Sequence, residues 1–253
     1  MLLKFVMLLF LSAPFQHHVQ ARTSQSEFLS MINSGRMLDP YHPKTSQGLF
    51  VGGIQNGLHS QYTNDDPADL YGRYYLSKEF RVHAYLPQIN MDQLTLGAEY
   101  DIGRILGDRN WLGLDLTLES SEFSPYFRGI YFLSRVTKAY YEGRLAFGDN
   151  GTLVPLHLGI FSKPFSSSRN TYIDTRLSFN HFNGDDFTSQ QFNVKGEFGH
   201  RWAGFNGIRE LELYGALGME YARYSFSSNG FSSNDSDSQI TILIGALYRT
   251  ILR

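Results

Sequence analysis

Residues 191–202 read QFNVKGEFGHRW, and this short stretch decides the fold. Apolar and polar residues alternate along it, with Gly196 and His200 falling among the apolar positions. Because successive side chains of a β-strand point to opposite faces, the stretch predicts a strand with one apolar and one polar face. The apolar face carries Phe192, Val194, Phe198 and Trp202, and the polar face carries Gln191, Asn193, Lys195, Glu197 and Arg201.

The same alternation recurs from Gly48 to the C-terminus, broken by short polar or glycine-containing turns. It predicts twelve strands, although the second and third are short enough to form one bent strand. Ten is the alternative, because an even number of strands is expected. The predicted strands are Gly48–Gln61, Leu70–Leu76, Glu79–Leu86, Asp92–Arg104, Trp111–Glu119, Tyr126–Arg135, Ala139–Phe147, Leu153–Ser162, Thr171–His181, Gln190–Trp202, Arg209–Phe226 and Gln239–Thr250.

The N-terminus has the features of a secretory signal peptide. Phe5–Leu11 is an apolar core too short to span a bilayer, and Val19-Gln20-Ala21 matches a small-x-small cleavage site. We therefore predict a cleaved signal peptide at residues 1–21 and a periplasmic N-terminal segment at residues 22–47, followed by the strand domain at residues 48–253.

The composition narrows the class of protein. The chain has no cysteine, which suits a bacterial envelope protein, and its net charge of −2 argues against general nucleic-acid binding. No segment after the signal is apolar for long enough to form a membrane-spanning helix, so a membrane span would have to be built from strands. The 24 glycines and the 15% aromatic content suit strands joined by tight turns.

The polar face of the strands indicates which side of the sheet is turned inward. It pairs opposite charges two residues apart, and the chain has sixteen Arg against six Lys, which is unusual for a water-exposed β-surface. The planar guanidinium suits hydrogen-bonded networks where water is scarce, as inside a small barrel. We predict a lumen charge network, with a structural or pore-lining role, of Glu99, Asp115, Arg128, Glu142, Arg144, Asp174, Arg176, Lys195, Glu197 and Glu212.

Aromatic residues cluster towards the strand ends, as in the interfacial girdles of membrane barrels. We place these aromatics on the outward, apolar face, whereas Tyr140, Tyr172 and Tyr214 are predicted to point inward. The predicted girdle residues are Phe80, Tyr100, Tyr126, Phe127, Tyr141, Phe147, Phe179, Trp202, Tyr221 and Tyr248.

In these features residues Gly48–Arg253 resemble the bacterial outer-membrane β-barrel class, without a motif that singles out one family. The resemblance implies an antiparallel up-and-down transmembrane barrel in a Gram-negative envelope. Outer-membrane lipid and the outer-membrane assembly machinery are then the expected partners. The chain departs from the class at its C-terminus, which ends Thr250–Arg253 rather than in an aromatic residue, so that Tyr248 would act as the terminal-strand aromatic.

An even strand number places both ends of the chain and one set of turns on the periplasmic side. That set is basic, with Lys78, Lys138 and Lys163, whereas the opposite set is acidic. The segment Ser227–Ser238 is the long loop of the acidic set, which is predicted to face outside.

The sequence contains no catalytic motif that we can identify. There is no Gly-x-Ser-x-Gly elbow, and His59 and Ser60 are adjacent strand residues that point to opposite faces. Acidic pairs near the acidic rim suit a weak cation site or a catalytic rim site, although Asp-Asp is also common in turns. The rim candidates are Asp65, Asp66, Asp185 and Asp186. We expect no cofactor and no metal, and His157 is predicted to hydrogen-bond in the lumen.

The sequence thus predicts an outer-membrane barrel with a structural role or a narrow pore for small solutes. Two alternatives stay open: a barrel enzyme with a rim site acting on lipid or peptide, and a soluble exported all-β binding protein.

Overall fold

The computed structural model describes residues 50–59, 68–86, 91, 94–118, 122–148, 151–165, 170–184, 187–203, 209–228 and 231–252. The predicted signal peptide and periplasmic segment lie outside these ranges and remain predictions. Among the described residues, no helix has the length and apolar character needed to cross a membrane.

The described part of the chain is built from β-strands. Their alternating sequence pattern explains this, since a period of two suits a sheet with two chemically different faces. The strands are β1 Phe50–His59, β2 Ala68–Tyr75, β3 Phe80–Leu86, β4 Thr95–Gly103, β5 Arg109–Thr117, β6 Glu122–Phe132, β7 Thr137–Arg144, β8 Ala146–Gly148, β9 Gly151–Ser162, β10 Thr171–Asn183, β11 Phe187–Ala203, β12 Arg209–Ser228 and β13 Phe231–Leu252.

These strands form one antiparallel sheet that closes on itself. Neighbours in sequence pair with each other, and β1 also pairs with β13, where Phe50 lies opposite Leu252. Both β7 and β8 lie between β6 and β9, so the thirteen described strands occupy twelve positions around the barrel. The predicted antiparallel up-and-down barrel is confirmed. The second and third predicted strands are separate, as β2 and β3.

The interruption between β7 and β8 lies beside prolines in both neighbouring strands, Pro125 of β6 and Pro155 of β9. The amide of Leu145 donates to the carbonyl of Pro125 across the two strands, at 3.0 Å. Proline has no N–H, so the reciprocal bond of this antiparallel pair cannot form. The ladder therefore breaks at Leu145 and resumes in the same register at Ala146.

The apolar face of the sheet is turned outward and the charged face inward. Along β10, Ile173 and Leu177 are 40% and 41% exposed, whereas Asp174 and Arg176 between them are 2% and 3% exposed. Exposed leucine, isoleucine and phenylalanine side chains recur on the outer faces of β4, β5, β6 and β9 to β13, which suits contact with lipid. The barrel is thus of the transmembrane type, and the alternative of a soluble all-β protein with an apolar interior is wrong.

Outward aromatics occupy the strand ends, as predicted, with one exception. Tyr100, Trp202, Tyr221 and Tyr248 are all exposed on the outer face. Placing Tyr126 on that face is wrong, because Tyr126 is buried in the lumen. It is two residues from Arg128, so strand geometry puts both side chains on the inward face.

The first residue of β1, Phe50, and the last residue of β13, Leu252, lie at the same end of the barrel. The turns at residues 76–79, 104–108 and 133–136 lie at this end too. We call this the basic end, after Lys78, and the opposite end the acidic end. The topology agrees with the predicted arrangement of the turns.

Two turns at the basic end share one design. The hydroxyl of Ser134 accepts from the amides of Val136 and Thr137, at 3.2 and 3.0 Å, and Ser77 makes the equivalent bonds in the turn between β2 and β3. Serine side chains commonly stabilise turns in this way. In the turn between β2 and β3, a hydrogen bond from Lys78 lowers the pKa of Glu79.

Two predicted loops at the acidic end are strands. β6 begins at Glu122, so residues 122–125 pair with β5 rather than forming a loop. The predicted loop Ser227–Ser238 is also wrong, since β13 begins at Phe231 and pairs with β12. Residues 234–238 are all polar and exposed. This part of β13 therefore lacks the alternation of apolar and polar residues by which the other strands were predicted.

Candidate functional site

The barrel lumen is the candidate functional site, and its basic half contains a carboxylate held by two arginines. Glu99 of β4 forms ion pairs with Arg81 of β3 and Arg128 of β6. The hydroxyl of Tyr126 also donates to this carboxylate, at 3.0 Å. All these side chains are buried, so each charge depends on the others for compensation.

Trp111 of β5 forms an apolar surface for the same arginines. The guanidinium carbons of Arg81 and Arg128 lie 4.8 and 5.3 Å from its ring centroid. A guanidinium stacks favourably on an aromatic face, which lowers the cost of burying it. The tryptophan thus fixes the two arginines that hold Glu99.

A second carboxylate, Asp115 of β5, lies nearer the acidic end. His83 Nε2 of β3 lies 2.7 Å from its Oδ1, and Arg144 Nη1 of β7 lies 2.5 Å from its Oδ2. The same arginine contacts Glu142 at 3.2 Å. Asp115 of β5 therefore links β3 on one side and β7 on the other, each of them two strands away.

A third carboxylate continues the network on β10. Asp174 accepts from Arg176 at 3.0 Å and from the hydroxyl of Tyr140 on β7 at 2.9 Å. The Nε atom of Arg176 also donates to this hydroxyl, at 3.0 Å. Carboxylates, arginines and tyrosines therefore make one charged belt from β3 to β10.

Three lumenal tyrosines lie on glycines of neighbouring strands. A Cβ at Gly113, Gly159 or Gly199 would lie 2.1–2.2 Å from the ring of Tyr126, Tyr140 or Tyr172, respectively. Only a residue without a side chain leaves room for the ring at this distance. Each tyrosine also donates to a carboxylate, and Tyr172 does so to Glu197 at 2.8 Å. Sequence reasoning missed these glycines, although their inward parity could have indicated them.

Apolar side chains lie on both sides of the charged belt. At the acidic end, Leu153 and Phe182 pack with Ala146, and Phe187 covers them. At the basic end, inward residues of five neighbouring strands form a cluster in which the Phe161 and Tyr172 rings stack at 5.3 Å. This cluster comprises Trp111, Ile130, Tyr140, Phe161 and Tyr172. The wall from β5 to β10 is therefore filled with large side chains.

Between Phe182 and the charged belt, the inward face of β10 and β11 is polar but uncharged. Asn180 lies opposite Gln191 in the register, and Ser178 lies opposite Asn193. These side chains are buried, and Ser178 also contacts Nδ1 of His157, at 2.9 Å. His157 is thus a hydrogen-bonding residue in the lumen, as the sequence predicted.

The inward face of β12 has small residues in its middle. Ala216 and Ala222 are buried there, and Gly218 lies between them on the same face. This wall contrasts with β5–β10, where the inward positions carry tyrosine, arginine and tryptophan. The described inward residues in the middle of β12 are therefore smaller than those of β5–β10.

Most of the predicted lumen residues share the inward face, and several touch each other. Lys195 is half-buried, and the side chain of Glu212 lies outside the described part of the structure. The buried ones are Glu99, Asp115, Arg128, Glu142, Arg144, Asp174, Arg176 and Glu197. Their structural or pore-lining role remains a prediction. Sequence reasoning missed Arg81 and His83, although their parity on β3 could have indicated them.

The predicted rim residues Asp65, Asp66, Asp185 and Asp186 lie outside the described residues. A catalytic or cation site there stays a prediction. Within the described ranges, no group of three or more His, Cys, Asp or Glu side chains is arranged to hold a metal ion.

No protein-family model and no curated protein matches this chain. Similarity is found to solved outer-membrane barrels. A KdgM porin is 14% identical, with 78% of this chain and 98% of the porin covered, at a TM-score of 0.45. An outer membrane channel from Pseudomonas putida F1 is 10% identical over 81% of this chain and 96% of the channel, at 0.47. A bacterial polysaccharide outer membrane secretin is 12% identical over 82% and 99%, at 0.46.

Proposed function

We propose that this protein is an outer-membrane barrel with a narrow, off-centre pore for small polar solutes. The observation that carries the proposal is the unequal lining of the lumen. Large charged and aromatic side chains line the wall from β5 to β10, while the described inward residues Ala216, Gly218 and Ala222 of β12 are small, and we place the pore beside them. A barrel of twelve positions is narrow, so filling one wall confines water to the other.

The chemistry of the lumen supports passage of polar rather than apolar solutes. The paired charges of the belt and the amides of β10 and β11 line the lumen with hydrogen-bonding groups. Such groups bind water well, and a water-filled path admits solutes that water dissolves.

The proposed setting is the Gram-negative outer membrane. The apolar outer belt supports outer-membrane lipid as a partner, and the predicted signal at residues 1–21 supports export and insertion by the assembly machinery. Small solutes complete the proposed partners, and no nucleic acid is proposed.

A planar-bilayer measurement with the refolded protein tests the pore. Ala216→Trp places a large ring in the space along β12 and should lower the single-channel conductance at least about twofold. Leu217→Trp is the matched control, because Leu217 is 61% exposed on the outer face, and its conductance should equal that of the wild type.

A structural role without transport is the second candidate. The buried charged belt and the two apolar clusters favour it, because they fill much of the lumen. A wild-type barrel that inserts into vesicles but conducts no ions would establish this role in place of the pore.

A further inference from the structure

The uncharged part of the lumen has the properties of a solute-binding site. We propose that the inward face of β10 and β11 near the acidic end binds a neutral, hydroxyl-rich solute such as a sugar. This inference rests on the proposed pore and names its substrate class. The side chains that would bind the solute are Ser178, Asn180, Ser189, Gln191 and Asn193, which we call the amide face.

The register places the amide face on two adjacent strands. Asn180 pairs with Gln191, Ser178 with Asn193, and Phe182 with Ser189. All of these residues therefore lie within three consecutive inward positions of each strand. A solute in the lumen at this level would contact several of them at once.

Within the amide face, Asn180 has hydrogen-bonding groups that the described residues do not satisfy. Its side chain is 3% exposed, and neither its Oδ1 nor its Nδ2 has a hydrogen-bond partner among the described residues. A buried amide without partners is unfavourable, so this position requires water or a polar solute. An amide supplies both a donor and an acceptor, which matches a hydroxyl group.

The charge distribution favours a neutral solute. None of the five amide-face residues is charged, and the described charges begin at Arg176 and Lys195, one inward position closer to the basic end. An anionic solute thus gains no cation from the amide face.

In the proposed pore, the solute would lie beside the small inward residues of β12. Ala222 is the register partner of Gln191, and Gly218 lies on the same inward face of β12. Neither residue extends a large side chain across the lumen. The amide face therefore borders the open wall along which we propose that solutes pass.

The test compares glucose with gluconate, which has a similar size and a negative charge, in swelling assays of vesicles containing the full-length protein. We expect wild-type swelling to be faster with glucose and to saturate as its concentration rises. The double variant Asn180→Leu with Gln191→Leu should slow glucose entry by about fivefold, because hydrogen bonds to the solute are lost.

Two further variants serve as controls. Gln190→Leu makes the same change at an exposed, outward residue next to Gln191 and should leave glucose entry unchanged. Asn180→Ser retains a donor and an acceptor and should keep most of the glucose rate. Heat-modifiable migration on a gel checks that every variant folds.

Potassium chloride conductance separates this inference from the proposed pore. If the protein conducts ions but glucose and gluconate enter at equal rates, the proposed binding role of the amide face is overturned and the pore stands. The same holds if the protein conducts ions and the double variant does not change glucose entry. Absence of conductance would overturn both.

Discussion

The ring of Tyr126 fills the space in which a side chain of Gly113 would lie. A Cβ added at Gly113 would come within 2.1 Å of Cζ of the tyrosine. The ring crosses β5 at this point, and its hydroxyl reaches Glu99 on β4. The glycine thus allows a hydrogen bond between two strands that are not neighbours.

We expect Gly113→Ala to lower the free energy of unfolding by about 1–3 kcal/mol, because the ring must move and its hydrogen bond with it. Gly196→Ala is the control, since a Cβ at Gly196 meets no atom within 4 Å. It should change the free energy by less than about 0.5 kcal/mol. Urea unfolding in lipid vesicles measures both values, and equal losses would contradict the account.

Arg176 is expected to contribute strongly to stability through Asp174. Arg176→Leu leaves a buried carboxylate without its cation, and we expect a loss of about 3–5 kcal/mol in the free energy of unfolding. The double variant with Asp174→Leu should recover much of this loss. Arg223→Leu, at an exposed arginine, should stay within about 0.5 kcal/mol of the wild type.

Turn residue Ser134 should have a moderate effect. Ser134→Ala removes the acceptor for the amides of Val136 and Thr137, and we expect a loss of about 0.5–1.5 kcal/mol in the free energy of unfolding. Ser238→Ala, at an exposed strand residue, is the control and should have no measurable effect. An unchanged free energy of unfolding in the Ser134→Ala variant would show that the turn bonds are unimportant.

The two tryptophans test which face of the sheet meets lipid. Trp111 is 2% exposed inside the barrel, and Trp202 is 47% exposed on its outer surface. In vesicles of brominated lipid, the fluorescence of the Trp111→Phe variant, which retains Trp202, should be strongly quenched. The Trp202→Phe variant should be quenched far less, and the reverse order would show that the faces are inverted.

The fold could be predicted from the sequence because lipid and lumen impose opposite polarity on alternate residues. This pattern identified β10 and β11 almost to their ends. The pattern did not predict the start of β13, because residues there are polar on both faces and show no alternation. It also failed at Pro125, which we assigned to a loop although it lies within β6.

The lumen was only partly predictable for a different reason. Opposite charges two residues apart revealed the pair Asp174 and Arg176, because both lie on one strand. The partners of Glu99 and Asp115 come from other strands, and their contacts depend on the register of the closed ring. The parity of Tyr126 with Arg128 could have placed it inward, although we predicted it outward, whereas the contact of its ring with Gly113 also depends on the register of β5 and β6.

The bond between His83 and Asp115 has a consequence for how the barrel is assembled. It joins β3 to β5 across Gly97, and the bond from Asp115 to Arg144 joins β5 to β7 across β6. Neither can form within a single hairpin. Strands β3 to β7 must all be in register before their charges are neutralised, so an incomplete barrel would carry uncompensated charges and be strongly disfavoured in the hydrocarbon of the membrane.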